Sequence, residues 1–210
     1  EIIEIISSQQ ATARFISRHM YHFFVADEPP VPQWPYKPPR DMKAIRVLEN
    51  AYFENGHDIK EMLRVLFNSD FFKSEACRYK KIKSPTELVT GVLRITREFE
   101  SPKIEIADRN NQVTYMGQQL LNPPSVEGWH QGLEWIETGS LTERINFASQ
   151  HLSDIESVGV KTIIGNVIND TQPYLTAEAC VDKCLDALGA LEITGIKPFF
   201  FLPKLSAKSC

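Results

Sequence analysis

The sequence predicts an all-α fold, an irregular multi-helix bundle with long proline-rich connecting loops. Two observations lead to this prediction. Apolar residues recur at steps of three and four along most of the chain, which places them on one face of a helix. Residue types that are common at helix starts and stops stand at the ends of these segments. No convincing pair of strands interrupts the pattern.

The first helix is expected to extend to about Val25, and a proline-rich segment follows it. Six of the 13 prolines fall within residues 29–39. Proline lacks an N–H donor and restricts the residue before it, so this segment must be extended or turned. We expect Trp34 and Tyr36 to pin the segment to the helices.

Local signals mark the next three helices. One is expected from about Asp41, and the turn signal Asn55-Gly56 ends it. Asp58 begins the next helix as its cap. The clearest start signal is "SPTE", residues 84–87, which combines a serine cap, a proline at the first helical position and a glutamate at capping-box spacing.

The second half of the chain carries weaker signals. Residues 101–111 are polar and are expected to form a loop. A second capping box, "SLTE" at residues 140–143, predicts a helix that starts there and carries Leu141, Ile145, Ala148 and Leu152. Further helices are expected over residues 113–121, 160–168 and 176–188, whereas the tail from residue 196 has no clean period.

Composition bounds the class of protein. Hydrophobic residues make up 42% and charged residues 24% of the chain, which is ordinary for a globular domain. The net charge of -4 argues against a nucleic-acid partner, whose binding surface would be basic. No apolar run approaches the roughly 18 residues that predict a membrane span. The four cysteines include no CxxC pair, so we expect buried free thiols rather than a zinc site.

The best candidate for a site is the glycine-containing stretch between residues 122 and 140. Its candidate ligand-binding residues are Trp129, His130 and Trp135. Two interpretations remain open for the tryptophans, which either stack on a ligand or anchor the loop by burying apolar area. His130 either acts as a general base or ligand contact, or closes the loop at the surface. No catalytic residue is identified, because the common enzyme motifs are absent from the sequence.

No metal site or cofactor is expected. His19 and His22 lie three apart on one side of a helix, but no further ligand stands near them in sequence, so they are interpreted as flanking the apolar stripe. Arg144 lies beside an apolar stripe, where we expect it to bind a buried loop carboxylate or carbonyl. Glu127 and Glu134 are the candidate carboxylates.

A series of segments resembles a known family. "ATARFISRHMYHFFV", "FENGHDIKEMLRVLFNSDFF", "KIKSPTELVTGVLR", "MGQQLLNPPSVEGW" and "SLTERINFA" occur in this order and resemble the C-terminal part of the domain of unknown function 1800 family of bacterial proteins. Members are about twice this length, so the chain is expected to be a C-terminal fragment. Residues 1–152 are expected to form the helical domain that resembles the family, with 153–210 as a helical extension that ends in an irregular tail.

The resemblance implies little chemistry. The family has no settled activity, so it supplies no catalytic residues. Its members often look exported and are commonly encoded beside a sulfatase-like protein, which implies a periplasmic or secreted setting and that protein as a partner. Our main hypothesis is therefore an interaction or scaffolding domain in an exported or envelope context. The alternative is part of an enzyme or of a carbohydrate- or ligand-binding protein whose site is completed by a missing N-terminal half.

Overall fold

The computed structural model describes residues 1–169 and 176–189. Within these residues the chain forms ten α-helices and four short 3-10 helices, and it has no β-strand beyond one isolated bridge. The all-α prediction is therefore confirmed. The helices are α1 (Ile2–Ser7), α2 (Gln10–Phe24), α3 (Met42–Glu54), α4 (Ile59–Asn68), α5 (Asp70–Lys73), α6 (Pro85–Thr96), α7 (Arg109–Tyr115), α8 (Thr138–Leu152), α9 (Val158–Asn169) and α10 (Ala177–Gly189).

These residues form two compact units. The first comprises Glu1–Val89 and Ile104–Phe147, and the second comprises Thr90–Lys103 and the described residues from Ala148 onward. The division falls inside α6 and α8. The predicted division at residue 152 stays a prediction.

The core of the first unit lies where α2, α3 and α4 pack together. Each of these helices directs its apolar stripe inward, as the three- and four-residue spacing requires. Ile45 and Leu48 of α3 and Met62 and Leu66 of α4 are fully buried. Burying one such side chain stabilises the fold by about 1.5–3 kcal/mol, so these stripes supply much of the unit's stability.

Side-chain caps begin α3, α4 and α6, and the two at Asp58 and Ser84 were predicted as caps. The Asp41 carboxylate accepts hydrogen bonds from the first-turn N–H groups of α3, and that of Asp58 accepts one from Lys60 N–H at 2.7 Å. At the start of α6, Ser84 N–H donates to Glu87 at 2.7 Å while Ser84 Oγ accepts from Glu87 N–H at 3.3 Å. Both reciprocal bonds of the capping box are therefore present.

The predicted first helix is in fact two helices. Gln9 has an extended backbone and separates α1 from α2. Polar side chains take up the carbonyl groups at the end of α1: Ser8 Oγ and Gln9 Nε2 both donate to Ile5 C=O, and Thr12 Oγ1 donates to Ile6 C=O. Such local bonds compete with the helical ladder, which explains the break.

Two other boundaries were predicted wrongly. The polar stretch at residues 101–111 contains a 3-10 helix at Ile104–Asp108 and the first turn of α7, which then ends at Tyr115. The helix predicted from Ser140 begins earlier, at Thr138. Ser140 does not cap it, because its hydroxyl donates to Trp135 C=O at 2.8 Å and accepts from Glu137 N–H. That serine fixes the loop before α8.

The second unit contains α9 and α10, which pack against each other. A close backbone approach brings Gly159 of α9 against Ile95, whose carbonyl oxygen would lie 1.9 Å from a Cβ on that glycine. His151 and Glu98 form a half-buried ion pair at 2.9 Å. Cys180 and Cys184 on α10 are free thiols, as predicted, but they are half-buried rather than buried, and the same holds for Cys77 of the first unit. The predictions for Cys210 and for the tail lie outside the described residues.

Within residues 1–169 and 176–189, none of the helices combines the length and hydropathy needed to cross a bilayer.

Candidate functional site

A buried ion pair holds the proline-rich segment against α2. Arg18 is 3% exposed and donates to the fully buried Glu28 carboxylate at 2.7 Å. The same guanidinium donates to the carbonyl groups of Lys37 at 2.9 Å and Pro38 at 3.2 Å, and the other Glu28 oxygen accepts from Arg40 N–H. Every charged atom of this pair thus has partners, which is the condition under which a buried pair is tolerated.

Trp34 completes this arrangement. Its Nε1–H donates to Pro29 C=O at 2.7 Å, and the Arg18 guanidinium lies 4.6 Å from the ring centroid, within cation–π range. The rings of Phe15 and His19 also lie against Trp34. Burial, and secondarily the charge of His22, lowers the pKa of His19. Trp34 therefore pins the segment as predicted.

Tyr36 does not pin the proline-rich segment. Its side chain is 87% exposed, so the prediction for this residue is wrong. The Tyr36 ring points to solvent, whereas the Trp34 ring contacts Phe15 and His19 of α2.

The connection between α7 and α8, residues 116–137, is called the Trp129 loop below. Its outer end is a turn in which Ser125 and Gly128 pair and Val126 is fully exposed. The Trp129 ring is half-buried, and its Nε1–H donates to Gln119 C=O at 3.0 Å. Trp135 is buried to 4% exposure. One tryptophan thus anchors the loop, while the other is held rigidly with part of its ring open to solvent.

A chain of hydrogen bonds joins α2 to the Trp129 loop. His22 Nδ1 accepts from Glu28 N–H at 2.9 Å, so its proton lies on Nε2, which donates to Gln131 Oε1 at 2.5 Å. The Gln131 side chain also accepts from Glu134 N–H, and Gln131 N–H donates to the Glu134 carboxylate. The second Glu134 oxygen lies 3.5 Å from His130 Nδ1. Hydrogen bonds thus connect α2 to Glu134 through His22 and Gln131, and His130 lies beside the end of this chain.

A second buried carboxylate fixes the base of the loop. Asp27 accepts from Ile82 N–H at 2.7 Å and pairs with Lys81 at 3.4 Å. Gly132 lies directly over it with φ of +58°, and a Cβ there would lie 3.2 Å from the Asp27 carboxyl carbon. Only glycine meets both conditions without strain.

Open cavities surround the Trp129 ring, and we name three of them. The Trp34 cavity, about 700 Å³, lies between the proline-rich segment and the Trp129 loop. The Tyr115 cavity, about 660 Å³, lies on the α7 side of the loop. The Phe23 cavity, about 700 Å³, lies toward the end of α2 and residues 81–87. Volumes of this size are typical of small-molecule sites.

The three sequence-predicted site residues come together at these cavities. Trp129 and His130 line all three, and Trp135 lines the Tyr115 and Phe23 cavities. The His130 side chain is 58% exposed and packs edge-on to Trp135 with ring centroids 6.3 Å apart. Their role in binding stays a prediction, but a solvent-reachable concavity, the feature that distinguishes the two functional hypotheses, is present.

The other candidate residues have structural partners. In the part of the chain that the structure describes, no group of three or more histidine, cysteine, aspartate or glutamate residues is placed to hold a metal ion. His19 and His22 both lie at the wall of the Trp34 cavity. Arg144 donates to Lys83 C=O at 2.9 Å, which confirms the predicted bond to a loop carbonyl, whereas the candidate carboxylates Glu127 and Glu134 lie in the Trp129 loop without this contact.

Sequence reasoning missed the residues that shape the cavities. Arg18, Glu28 and Asp27 are charged residues next to a proline run, and their burial depends on contacts 10 to 55 positions away. One feature could have indicated that Arg18 is buried: it follows Ser17 on the face of α2 that packs inward. A charge on such a face requires a partner, and the next acidic residues along the chain are Asp27 and Glu28.

Comparison with known proteins identifies the family of this chain. Searches of curated proteins and of solved structures gave no significant match. A family model described as protein of unknown function (DUF1800) matches residues 1–195 of the 210. Since this match covers nearly the whole chain, the protein belongs to the DUF1800 family of proteins of unknown function.

Proposed function

We propose that this protein binds carbohydrate at the Trp129 loop. The observation that carries the proposal is the Trp129 ring, which is fixed by its bond to Gln119 C=O and lines three open cavities. A rigid, partly exposed indole offers a flat apolar face of the kind on which sugar rings stack, at little cost in side-chain entropy. Histidine, glutamine and glutamate side chains around it supply hydrogen-bonding groups for hydroxyls.

The charge of the walls favours some carbohydrates over others. The residues that line the Trp34 and Tyr115 cavities include glutamates but no lysine or arginine. A sulfated polymer would need cations to offset the loss of hydration at each sulfate. An uncharged or amine-bearing carbohydrate therefore fits these walls better than a sulfated one.

Calorimetric titration with a panel of uncharged oligosaccharides tests the proposal. Trp129→Ala should weaken binding about tenfold, since an aromatic stacking contact contributes up to about 1.5 kcal/mol. Tyr36→Ala is the matched control, because that ring is exposed and lines none of the three cavities. Circular dichroism and thermal melts check that the Trp129 variant folds. Failure of the whole panel to bind, or equal binding by the Trp129 variant, would refute the proposal.

A second candidate is an interaction or scaffolding role in an exported or envelope setting, with a sulfatase-like protein as partner. The family resemblance motivates the setting and the partner. The structural observation that favours an interaction role is α1, whose four isoleucines are 55–79% exposed. Solvent exposure of this much aliphatic surface on one short helix is typical of an interface.

The net charge of -4 supports a protein partner over nucleic acid. Size-exclusion chromatography of this protein mixed with the purified sulfatase-like protein tests the second candidate. Co-elution supports an interaction role, whereas separate elution at micromolar concentrations of both proteins contradicts it.

A further inference from the structure

The walls of the Trp34 cavity combine aromatic rings with carboxylates. Phe15, Trp34 and Trp129 contribute rings, and Glu127 and Glu134 contribute exposed carboxylates. Among the described residues, Glu127 forms no ion pair, and Glu134 pairs with His130, which is charged only when protonated. The third carboxylate at this cavity, Glu28, is fully buried and compensated by Arg18.

Among the residues that the structure describes, Glu127 and Glu134 therefore line the Trp34 cavity with no lysine or arginine beside them. The Tyr115 cavity, on the other side of Trp129, has the same character, with Glu134 and Glu137 in its wall and again no lysine or arginine. By contrast, the Phe23 cavity contains Lys81, which pairs with Asp27 and donates to His22 C=O.

Aromatic faces and carboxylates in one cavity both attract organic cations. The π face of an indole attracts an ammonium group electrostatically, and nearby carboxylates pair with it directly. Both interactions gain strength when a concave wall excludes part of the solvent. The face of the Trp129 ring offers the apolar surface on which a sugar ring stacks.

We propose that the Trp34 cavity selects carbohydrates that carry a free amine. The ammonium group lies against the Glu127 and Glu134 carboxylates, and the sugar ring stacks on Trp129. This inference rests on the proposed carbohydrate binding and names the class of sugar. It concerns binding only and includes no chemical step.

Two oligosaccharides that differ only at the nitrogen test the proposal. A short β-1,4-linked glucosamine oligomer is compared by calorimetry with the same oligomer fully N-acetylated, near pH 6, where a larger share of the sugar amines is protonated than at pH 7. We expect the amine form to bind about tenfold more tightly at low salt. Raising the salt concentration from about 0.05 M to about 0.5 M should weaken the amine form markedly and the acetylated form little, because salt screens exposed charges.

Variants that remove one carboxylate charge each test whether Glu127 and Glu134 cause the preference for the amine form. Glu127→Gln and Glu134→Gln should each reduce the preference for the amine form over the acetylated form about two- to five-fold, as expected for a partly exposed ion pair. Glutamine at position 134 keeps a carbonyl oxygen that can accept the Gln131 N–H bond. Glu54→Gln is the control, since Glu54 is an exposed glutamate of the same unit outside the three cavities.

The outcomes separate the two proposals. Equal binding of the two oligomers, tighter binding of the acetylated one, or an amine preference that survives in the double variant would overturn the amine proposal and leave carbohydrate binding intact. Absence of binding to either oligomer and to the uncharged panel would overturn both.

Discussion

The buried pair of Arg18 and Glu28 offers the sharpest test of how the cavity wall is built. Arg18→Met removes the guanidinium and keeps much of its aliphatic volume. The substitution leaves the Glu28 carboxylate fully buried, with Arg40 N–H as its remaining hydrogen bond. It also frees the carbonyl groups of Lys37 and Pro38 and uncovers one face of Trp34.

The expected cost follows from this loss of partners. Removing one member of a buried ion pair costs about 3–5 kcal/mol, because the other charge stays in a poorly solvating environment. For a chain of about 200 residues, 1 kcal/mol corresponds to roughly 2–4 °C in Tm, so the melting temperature should fall by about 6–20 °C. Glu28→Gln leaves the Arg18 cation buried without its carboxylate, but the guanidinium keeps its bonds to the Lys37 and Pro38 carbonyl groups and the glutamine oxygen can still accept from Arg40, so this change should cost less.

A double-mutant cycle in urea measures the coupling. Unfolding of the wild type, Arg18→Met, Glu28→Gln and the double variant is followed by circular dichroism, with tryptophan fluorescence as a second probe to confirm a two-state transition. The double variant should be more stable than Arg18→Met alone, because it no longer buries an unpaired charge. Binding by Arg18→Met should also weaken, since the pair holds the proline-rich wall in place.

Two results would refute this reasoning. One is a loss below about 1 kcal/mol for Arg18→Met, which is the range of an exposed ion pair. The other is additive behaviour in the cycle, with the double variant as unstable as the two single changes combined. Either would mean that the pair is solvated in solution and does not determine the position of the proline-rich segment.

Two further predictions concern stability. Gly159→Ala should destabilise the second unit by at least about 2 kcal/mol in a thermal melt, because the added Cβ would lie 1.9 Å from the Ile95 carbonyl oxygen. Gly165→Ala on the same helix is the control, since its Cβ would meet nothing within 4 Å and should stabilise the helix by up to about 1 kcal/mol. Equal effects of the two substitutions would contradict the close approach at Gly159. Burial, then the charge of His22, lowers the pKa of His19 in the fold, so the unfolded chain binds that proton first and stability should fall as pH drops below about 6.5. His19→Gln should make this fall shallower than in the wild type, and an unchanged pH profile of urea unfolding would contradict the assignment.

The structure also changes the view of the Trp129 loop as a whole. Its sequence is compatible with an anchor, a binding loop or both. In the structure the two tryptophans differ in how far they are buried. Trp135 is buried and Ser140 binds the carbonyl group of that residue, whereas Trp129 keeps part of its ring at the cavities. The hydrogen-bond chain from His22 through Gln131 to Glu134 holds the loop from the opposite side. The anchor interpretation therefore applies to Trp135, whereas binding at Trp129 stays a prediction.

Much of the helical architecture is determined locally and was therefore predictable. The stripes of α3 and α4, the cap Asp58 and the box at Ser84 depend on residues within a turn or two of each other, so the sequence shows them directly. Where two local signals compete, sequence reasoning failed. At Gln9 side-chain bonds interrupt a continuous stripe, and at Ser140 the hydroxyl binds the preceding loop.

The candidate site depends on contacts that no local pattern encodes. The sequence alone determined that Trp129, His130 and Trp135 share one inter-helix connection. Only the tertiary structure decided that His22 would reach Gln131 across 109 positions and that Arg18 and Glu28 would be buried together. A buried charge or histidine is stable only with a partner in space, and that partner is set by how the helices pack. Periodicity and caps specify each helix, whereas the packing of those helices specifies which side chains meet at the cavities.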